Sequence, residues 1–227
     1  MMKQNVKKLL IGLCIVILIG FSYNQYKERE MYEASISSEL KSDFHSLVTA
    51  MAHNQTYYEE ILETDRITKR HAHLLALRTY NGDISRIKDE YERLAVEFER
   101  LEPRTIENDT SVNAIEIGSY FSELADYQRF EPEEMDDVLL ELDADEREKI
   151  EHVKALNSVW LEAAERNVEG VTVRNGKVNF DARTYENYYG EDSLSNDFWV
   201  DMFVELDEET LKFLRQRNLS SIGERLE

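Results

Sequence analysis

Few residues in this 227-residue chain interrupt a helix or form a covalent cross-link. The chain contains two prolines, eight glycines and one cysteine. Proline and glycine are the least favourable residues in helix interiors, so their scarcity favours long helices. The cysteine, Cys14, lies in an apolar segment near the N-terminus, which leaves the rest of the chain without a disulfide. The sequence therefore excludes a disulfide-stapled small domain and predicts a mainly α-helical protein with its own hydrophobic core.

Acidic residues are absent from the first 27 positions and abundant afterwards. The chain has 47 acidic and 27 basic residues, a net charge of −20, and the part after Lys27 carries 47 acidic and 23 basic residues, a net charge of −24. Phosphate backbones and anionic lipid surfaces bind through lysine and arginine, so we expect no nucleic-acid binding by this part. An acidic surface attracts cations or a basic protein, and an envelope protein is the other candidate partner, although such a surface also serves simply as a well-solvated one.

One long apolar run begins at Leu9. The fifteen residues Leu9–Tyr23 include no charge, and Lys7 and Lys8 precede them. As a helix they span roughly 22 Å, against a hydrocarbon core of about 30 Å. The two lysines can extend their ammonium groups to the headgroups, and Tyr26 suits the far interface. We expect residues 9–23 to contact membrane lipid as a single transmembrane anchor.

The residues around this run also bear on whether it is cleaved. Signal peptidase requires small residues just after the apolar run, and "FSYNQYKERE" offers no such pattern. A lipoprotein would need a small residue before its cysteine, whereas Cys14 follows Leu13. We therefore expect an uncleaved anchor, the alternatives being a secreted protein or a lipoprotein. The lysines before the run place the N-terminus inside and the body on the extracytoplasmic side, with a cytoplasmic body as the alternative.

The sequence predicts three regions: residues 1–27 with the cytoplasmic tip and anchor, a long-helix region at 28–103, and a helical domain at 104–227. In the second region a helical stripe continues the anchor, comprising Ile36, Leu40, Phe44, Leu47, Met51, Tyr58 and Leu62. Asn54 and Gln55 fall where this stripe should continue, which predicts a register-setting contact or a kink. A further helix is predicted over residues 67–80, followed by a stop and restart at "NGD", with Asp83 as the N-cap.

The clearest periodicity in the chain follows that restart. Its spacings alternate between three and four, as in a coiled-coil seam, through Ile84, Ile87, Tyr91, Leu94, Phe98 and Leu101. The seam predicts a homodimer, but packing inside a hairpin or bundle of one chain explains it equally well.

The third region begins with three predicted helix starts. Ser111 caps a helix with Val112, Ile115, Tyr120, Phe121 and Leu124 facing inward. Pro132 opens another helix. Asp143 and Glu146 form a capping arrangement for a third, which buries Ile150, Val153, Leu156, Trp160 and Ala163 and is closed by Gly170.

A change of period then marks a β-hairpin at residues 171–180. "VTVRNGKVNF" has two alternating runs around Asn175-Gly176, residues typical of a type I′ turn. In that register Val173 faces Val178 and Val171 faces Phe180 on one side. Three short helices are predicted after it.

Motifs for catalysis and metal binding are weak. Ser38–Lys41 and Ser85–Lys88 match Ser-x-x-Lys, but both lie on helices in charged surroundings, where a lysine is solvated. His71 and His73 point about 200° apart on a helix and cannot share one ion. We therefore expect no metal, no cofactor and no catalytic residue.

Aromatic residues are concentrated near the C-terminus, and Tyr185, Tyr188, Tyr189 and Trp199 are the candidate partner surface, with core packing as the alternative. The sequence thus favours a membrane-anchored binding or scaffolding protein. The competing hypotheses are a cell-envelope hydrolase that uses carboxylates and a secreted soluble protein.

Overall fold

A single long helix forms the axis of the fold. The computed structural model describes residues 2–76, 80–102, 108–126, 130–174, 177–181, 183–184 and 193–227, and its first element is α1 (Met2–Thr64). The N-terminal run therefore continues into the following helix without a break, as expected from the lack of proline there. Over the described residues, none of the helices is long and apolar enough to cross a membrane.

Six further α-helices and four short strands complete the described part of the chain. In order they are β1 (Arg66–Thr68), α2 (Lys69–Leu75), α3 (Tyr80–Glu97), α4 (Asp109–Leu124), β2 (Val138–Glu141), α5 (Ala144–Asn167), β3 (Val171–Arg174), β4 (Lys177–Phe180), α6 (Phe198–Gln216) and α7 (Gly223–Leu226). Two 3₁₀ turns lie at Pro132–Glu134 and Ser193–Ser195. The predicted mainly helical fold with a small β-hairpin is confirmed.

The bundle is assembled around the C-terminal half of α1. Helices α3 and α5 pack against α1, α4 packs against α3, and α6 packs against α5. The predicted stripe from Ile36 to Tyr58 is buried in this core, with Leu62 packed at its edge. One cluster of buried side chains contains residues from both predicted regions after residue 27. By contrast, residues 12–32 of α1 are exposed on every side of the helix.

Two polar residues in the α1 stripe join helices instead of bending one. The Asn54 side-chain nitrogen donates to Oδ1 of Asn81 at 3.0 Å, and Gln55 donates to the hydroxyl of Ser158 at 3.0 Å. Both side chains are buried and α1 remains continuous. Of the two predicted outcomes, the structure therefore has the register-setting contact.

Two predicted helix starts are displaced. Helix α3 begins at Tyr80, so "NGD" lies within its first turn and Asp83 is not its N-cap. Helix α4 begins at Asp109 and buries Ala114, Ile117 and Phe121, whereas Val112 and Ile115 are 44% and 40% exposed. The prediction was right for Phe121, which is buried, and for Tyr120 and Leu124, which pack against the core. It was wrong for Val112 and Ile115, because the buried residues of that first half of α4 are mostly small, Ala114 among them.

The residues between helices include one sheet that the sequence pattern did not predict. Pro132 does open a helical turn, but this 3₁₀ turn ends at Glu134 and β2 follows it. Strand β2 pairs antiparallel with β1, with Ile67 opposite Leu140. The predicted helix over residues 67–80 therefore starts later, as the short α2. The residues of β1 pair with those of β2, which are far away in the sequence, so local periodicity does not predict this pairing.

The second sheet is the predicted hairpin. Val171 pairs with Phe180 and Val173 with Val178, and these four side chains face the protein while their neighbours in sequence are exposed. Asn175 and Gly176 lie outside the described residues.

Gly170, with a φ of 79°, turns the chain from α5 into β3. Asp143 caps α5 as predicted, its Oδ1 accepting from the backbone nitrogens of Asp145 and Glu146 at 2.9 Å.

Candidate functional site

Trp199, the described member of the predicted aromatic surface, lies in the core. It is fully buried in α6, and its ring centroid is 6.2 Å from that of Tyr91. Phe203, one helical turn further, is 6.3 Å from the same tyrosine. The placement of Trp199 corresponds to core packing, the alternative that the sequence left open. Tyr185, Tyr188 and Tyr189 lie outside the described residues.

The predicted self-association seam faces the interior of the same chain. Ile84, Ile87 and Tyr91 are buried, and Leu94, Phe98 and Leu101 pack against the core with part of their surface exposed. The Tyr91 hydroxyl donates to Oδ2 of Asp43 on α1 at 3.0 Å. Intramolecular packing in a bundle therefore accounts for the periodicity of α3.

An open groove runs along α6 beside the end of α5. It consists of two adjoining depressions of about 500 and 800 Å³, which share Asn167, Asp197 and Asp201. The acidic residues around them are Glu165, Glu169, Asp197, Asp201, Glu205, Glu208 and Glu209, and the basic residues are Arg100 and Arg166. We call this surface the acidic groove. Its charge favours cations and basic side chains over anions.

Several of these groups also hold the groove together. Arg100 bonds to Asp197, which links the segment after α3 to the start of α6. Arg166 Nε lies 2.5 Å from Oε1 of Glu205, and Asn167 donates to the other oxygen of the same carboxylate. These pairs lie largely at the surface, where each contributes little to stability, so their main effect is to fix the groove's shape.

A second cluster of charged groups is enclosed between α3, α4 and α6. Lys88 is 0% exposed, and Glu92 and Asp207 are each 4% exposed. The Lys88 ammonium nitrogen lies 2.7 Å from Oε1 of Glu92 and 2.8 Å from Oδ2 of Asp207. We call these three residues the buried charge cluster. The expectation that Lys88 is solvated was wrong, because Asp207 arrives from a helix more than a hundred residues away.

The surroundings of Asp207 are rich in donors. Its Oδ1 accepts from the backbone nitrogen of Thr110 at 2.9 Å, in the first turn of α4, where the helix dipole favours a negative charge. The hydroxyls of Thr110 and Thr210 are 3.1 Å apart, and Trp160 Nε1 donates to Thr210 Oγ1 at 2.8 Å. Asp207 thus ties α6 to both α3 and α4, next to a polar contact with α5.

Glu92 has fewer partners than Asp207. Its Oε1 accepts from Lys88, while its Oε2 has no hydrogen-bond partner among the described residues. Burial raises the pKa of Glu92 to about 7; Lys88 opposes this rise and the neighbouring Asp207 carboxylate adds to it. Glu92 therefore exchanges its proton near neutral pH, unlike a solvated glutamate.

The Ser-x-x-Lys pattern that contains Lys88 does not form a nucleophile–base pair. The Ser85 hydroxyl donates to the carbonyl oxygen of Gly82 at 3.1 Å, and the Lys88 ammonium donates to two carboxylates. A lysine that acts as a base needs a free electron pair facing the hydroxyl. The burial of all three charged groups also keeps a substrate away from Glu92 and Asp207.

His71 contacts the end of α1 and the residue before α2. His71 is buried in the first turn of α2, where its Nδ1 accepts from the backbone nitrogen of Thr68 at 3.2 Å. Its Nε2 lies 3.3 Å from Oε2 of Glu60 on α1. Within the described residues no group of three or more histidine, cysteine or acidic side chains is placed to hold a metal ion.

Comparison with known proteins gives no relative from which a function could be carried over: no family model, curated protein or solved structure matches this chain.

Proposed function

We propose that this chain is a single-pass membrane protein that displays its acidic helical domain on the extracytoplasmic side, and that this domain acts in binding or scaffolding, not in catalysis. The observation that carries the proposal is the two-part character of α1. From Ile36 onward the helix is the central element of the bundle, whereas residues 12–32 are exposed on every side of the helix.

The exposed part of α1 is unfavourable in water. Val16 is 66% exposed and Ile19 is 64% exposed, and their neighbours in the run are similarly placed. Each such side chain gains about 1.5–3 kcal/mol when it leaves water for an apolar medium. A lipid bilayer surrounds a helix with apolar medium on every side, whereas packing on a protein surface covers one side of the helix only. The apolar run therefore favours lipid as its surroundings.

The continuity of α1 supports a scaffolding role. A helix without a break transmits the anchor's position directly to the bundle, because its residues 24–35 add about 18 Å of rigid rise between run and core. The acidic groove lies on the bundle, and its charge favours a basic protein as partner. The two carboxylates of the buried charge cluster are enclosed in the core, where a substrate does not reach them, which favours binding over hydrolysis.

The experiment that tests this proposal detects the full-length chain in cell fractions by blotting for a C-terminal tag. Cells are fractionated, the membranes are washed with alkaline carbonate, and wall-stripped cells are treated with protease before blotting. We expect the full-length chain to stay in the washed membrane pellet and to be digested from outside. A protected chain would contradict the orientation, and a shortened soluble product would show that the segment is a cleaved signal.

A pair of matched variants separates insertion from loose association. Replacing Ile15 and Ile19 by Glu puts two charges into the apolar run, and we expect the chain to appear in the carbonate wash. Replacing Met31 and Tyr32 by Glu makes the same change at exposed positions of α1 beyond the run, and we expect the pellet fraction to stay unchanged. If the two variants were found in the washed pellet to the same extent, the assignment of the run as a membrane anchor would be wrong.

A further inference from the structure

The buried charge cluster contains unequal numbers of acids and bases. Two carboxylates, Glu92 and Asp207, share one ammonium group, Lys88, and all three are enclosed between helices. With every group ionised, these three residues together carry a net charge of −1 in the core. A net charge is costly in the core, and uptake of a proton by one of the carboxylates removes it.

The geometry selects which carboxylate takes the proton. Asp207 uses both oxygens as acceptors, one from Lys88 and one from the Thr110 backbone nitrogen. Glu92 uses one oxygen, and Oε2 has no partner in the described part of the chain. A proton on Asp207 would displace one of two good hydrogen bonds, whereas a proton on Oε2 of Glu92 displaces none.

We propose that the buried charge cluster is a proton switch in which Glu92 takes up a single proton, and that loss of this proton loosens the docking of α6 on α3 and α4. With the proton bound, Lys88 and Asp207 form a neutral pair. With the proton released, the cluster holds one excess negative charge at the point where the three helices meet. Because α6 also carries Asp201, Glu205 and Glu208 of the acidic groove, the switch acts on the helix that presents that groove.

The groups around Glu92 set the direction of the response. On its own helix Lys88 opposes proton uptake, and Asp89 is engaged by the Ser111 hydroxyl of α4 at 2.5 Å. From α6 Asp207 favours uptake, and α4 contributes the Thr110 backbone dipole, which is satisfied by Asp207. On α1, Asp43 faces the Tyr91 hydroxyl and Arg86. α2, which also contacts α3, carries His71, which faces Glu60 of α1.

Stability decreases with rising pH, because the folded chain keeps a proton on Glu92 that the unfolded chain releases. The pKa of Glu92 is raised from 4.5 to about 7 in the folded chain. The stabilisation from the proton is fully present below the ordinary carboxyl pKa, and it is lost as pH rises through about 7. The unfolding equilibrium constant therefore rises by up to about tenfold per pH unit between these limits.

The test compares the full-length chain with two variants at pH 5.5 and 7.5. Glu92→Gln keeps the shape of the side chain and holds it permanently neutral. Glu97→Gln makes the same change on α3, where the Glu97 side chain is 60% exposed. Denaturant unfolding, followed by circular dichroism, gives the unfolding constant of each protein at each pH. Between pH 5.5 and 7.5 we expect the unfolding constant of the wild type to increase by a factor at least about ten times that of Glu92→Gln. Glu97→Gln should show the same increase as the wild type.

Two results would overturn the switch. One is an increase of the unfolding constant with pH that is no larger in the wild type than in Glu92→Gln, and the other is a loss of this increase in Glu97→Gln as well. If Glu92→Gln does not fold, the infrared carbonyl band of a buried protonated carboxyl group decides the question in the wild type. A band present at pH 5.5 that disappears by pH 8 supports the proposal, and its absence at pH 5.5 overturns it.

Discussion

Asn157 on α5 donates its side-chain amide twice to α1: to the backbone oxygen of Met51 at 2.8 Å and to Oε1 of Gln55 at 2.9 Å. Asn157 is fully buried, so both bonds are shielded from water. Apolar contacts are not directional, so they specify the register of two helices less sharply than hydrogen bonds do. A pair of directed bonds to one turn of α1 fixes the register of α5 against it.

Removing this contact from one side only should destabilise the protein. In Asn157→Leu the Gln55 oxygen loses its donor in a buried place, which costs about 1–3 kcal/mol. We expect the free energy of unfolding to fall by that amount in denaturant titrations. Asn196→Leu, at an exposed position, should change it by no more than about 0.5 kcal/mol.

The double variant Asn157→Leu with Gln55→Leu gives a sharper comparison. Replacing both partners by apolar groups removes the unpaired acceptor, so we expect the double variant to be no less stable than Asn157→Leu alone. A further loss in the double variant equal to that of Gln55→Leu alone would show that the two side chains act independently, against the register contact.

Local periodicity predicted the parts of the fold that depend on neighbouring residues. The stripe of α1, the Asp143 cap and the register of the hairpin are each determined within one or two elements. The pairing of Ile67 with Leu140 is different, because it joins short segments far apart in the sequence. The exposure of Val112 and Ile115 on α4 was not predicted, because the buried residues beside them, such as Ala114, are small and give a weak apolar pattern.

The buried charge cluster shows why the candidate site was harder to predict than the fold. "IKDEYER" looks like the solvated face of a helix, and its last residue Arg93 and the preceding Arg86 are indeed exposed. Lys88 and Glu92 are one turn apart on the other face, which is a signal that could have been noticed. Their burial depends on Asp207 and Thr110, and nothing local to α3 reports those partners.

The hairpin provides two adjacent positions with opposite environments. The ring of Phe180 lies 4.4 Å from that of His45 on α1, while Asn179 is exposed. We expect Phe180→Ala to lower the free energy of unfolding by about 1–3 kcal/mol, less than for a fully buried phenylalanine. Asn179→Ala should leave it nearly unchanged. Equal effects in thermal unfolding would contradict the register of β3 and β4.

A double substitution tests the role of the α3 seam. Leu94→Asp with Phe98→Asp puts two charges against the core, and we expect a loss of at least about 2 kcal/mol in unfolding free energy. Arg93→Asp with Glu97→Asp has the same spacing on the exposed side and serves as the control. If the seam joined two copies, the melting temperature of the wild type would rise with protein concentration, whereas packing within one chain predicts no such rise.

His71 should resist protonation in the folded protein. Burial lowers its pKa below the ordinary value of 6.5, and Glu60 opposes part of that shift. Protonation at Nδ1 would also remove the acceptor that receives the Thr68 backbone N–H at the start of α2. Because the unfolded chain takes up this proton more readily, the contribution of His71 to stability is full above pH 6.5 and decreases as pH falls through the folded pKa. The imidazole resonances, assigned by their loss in His71→Gln, should titrate with a midpoint below 6.5, and a midpoint at or above that value would show that Glu60 outweighs burial.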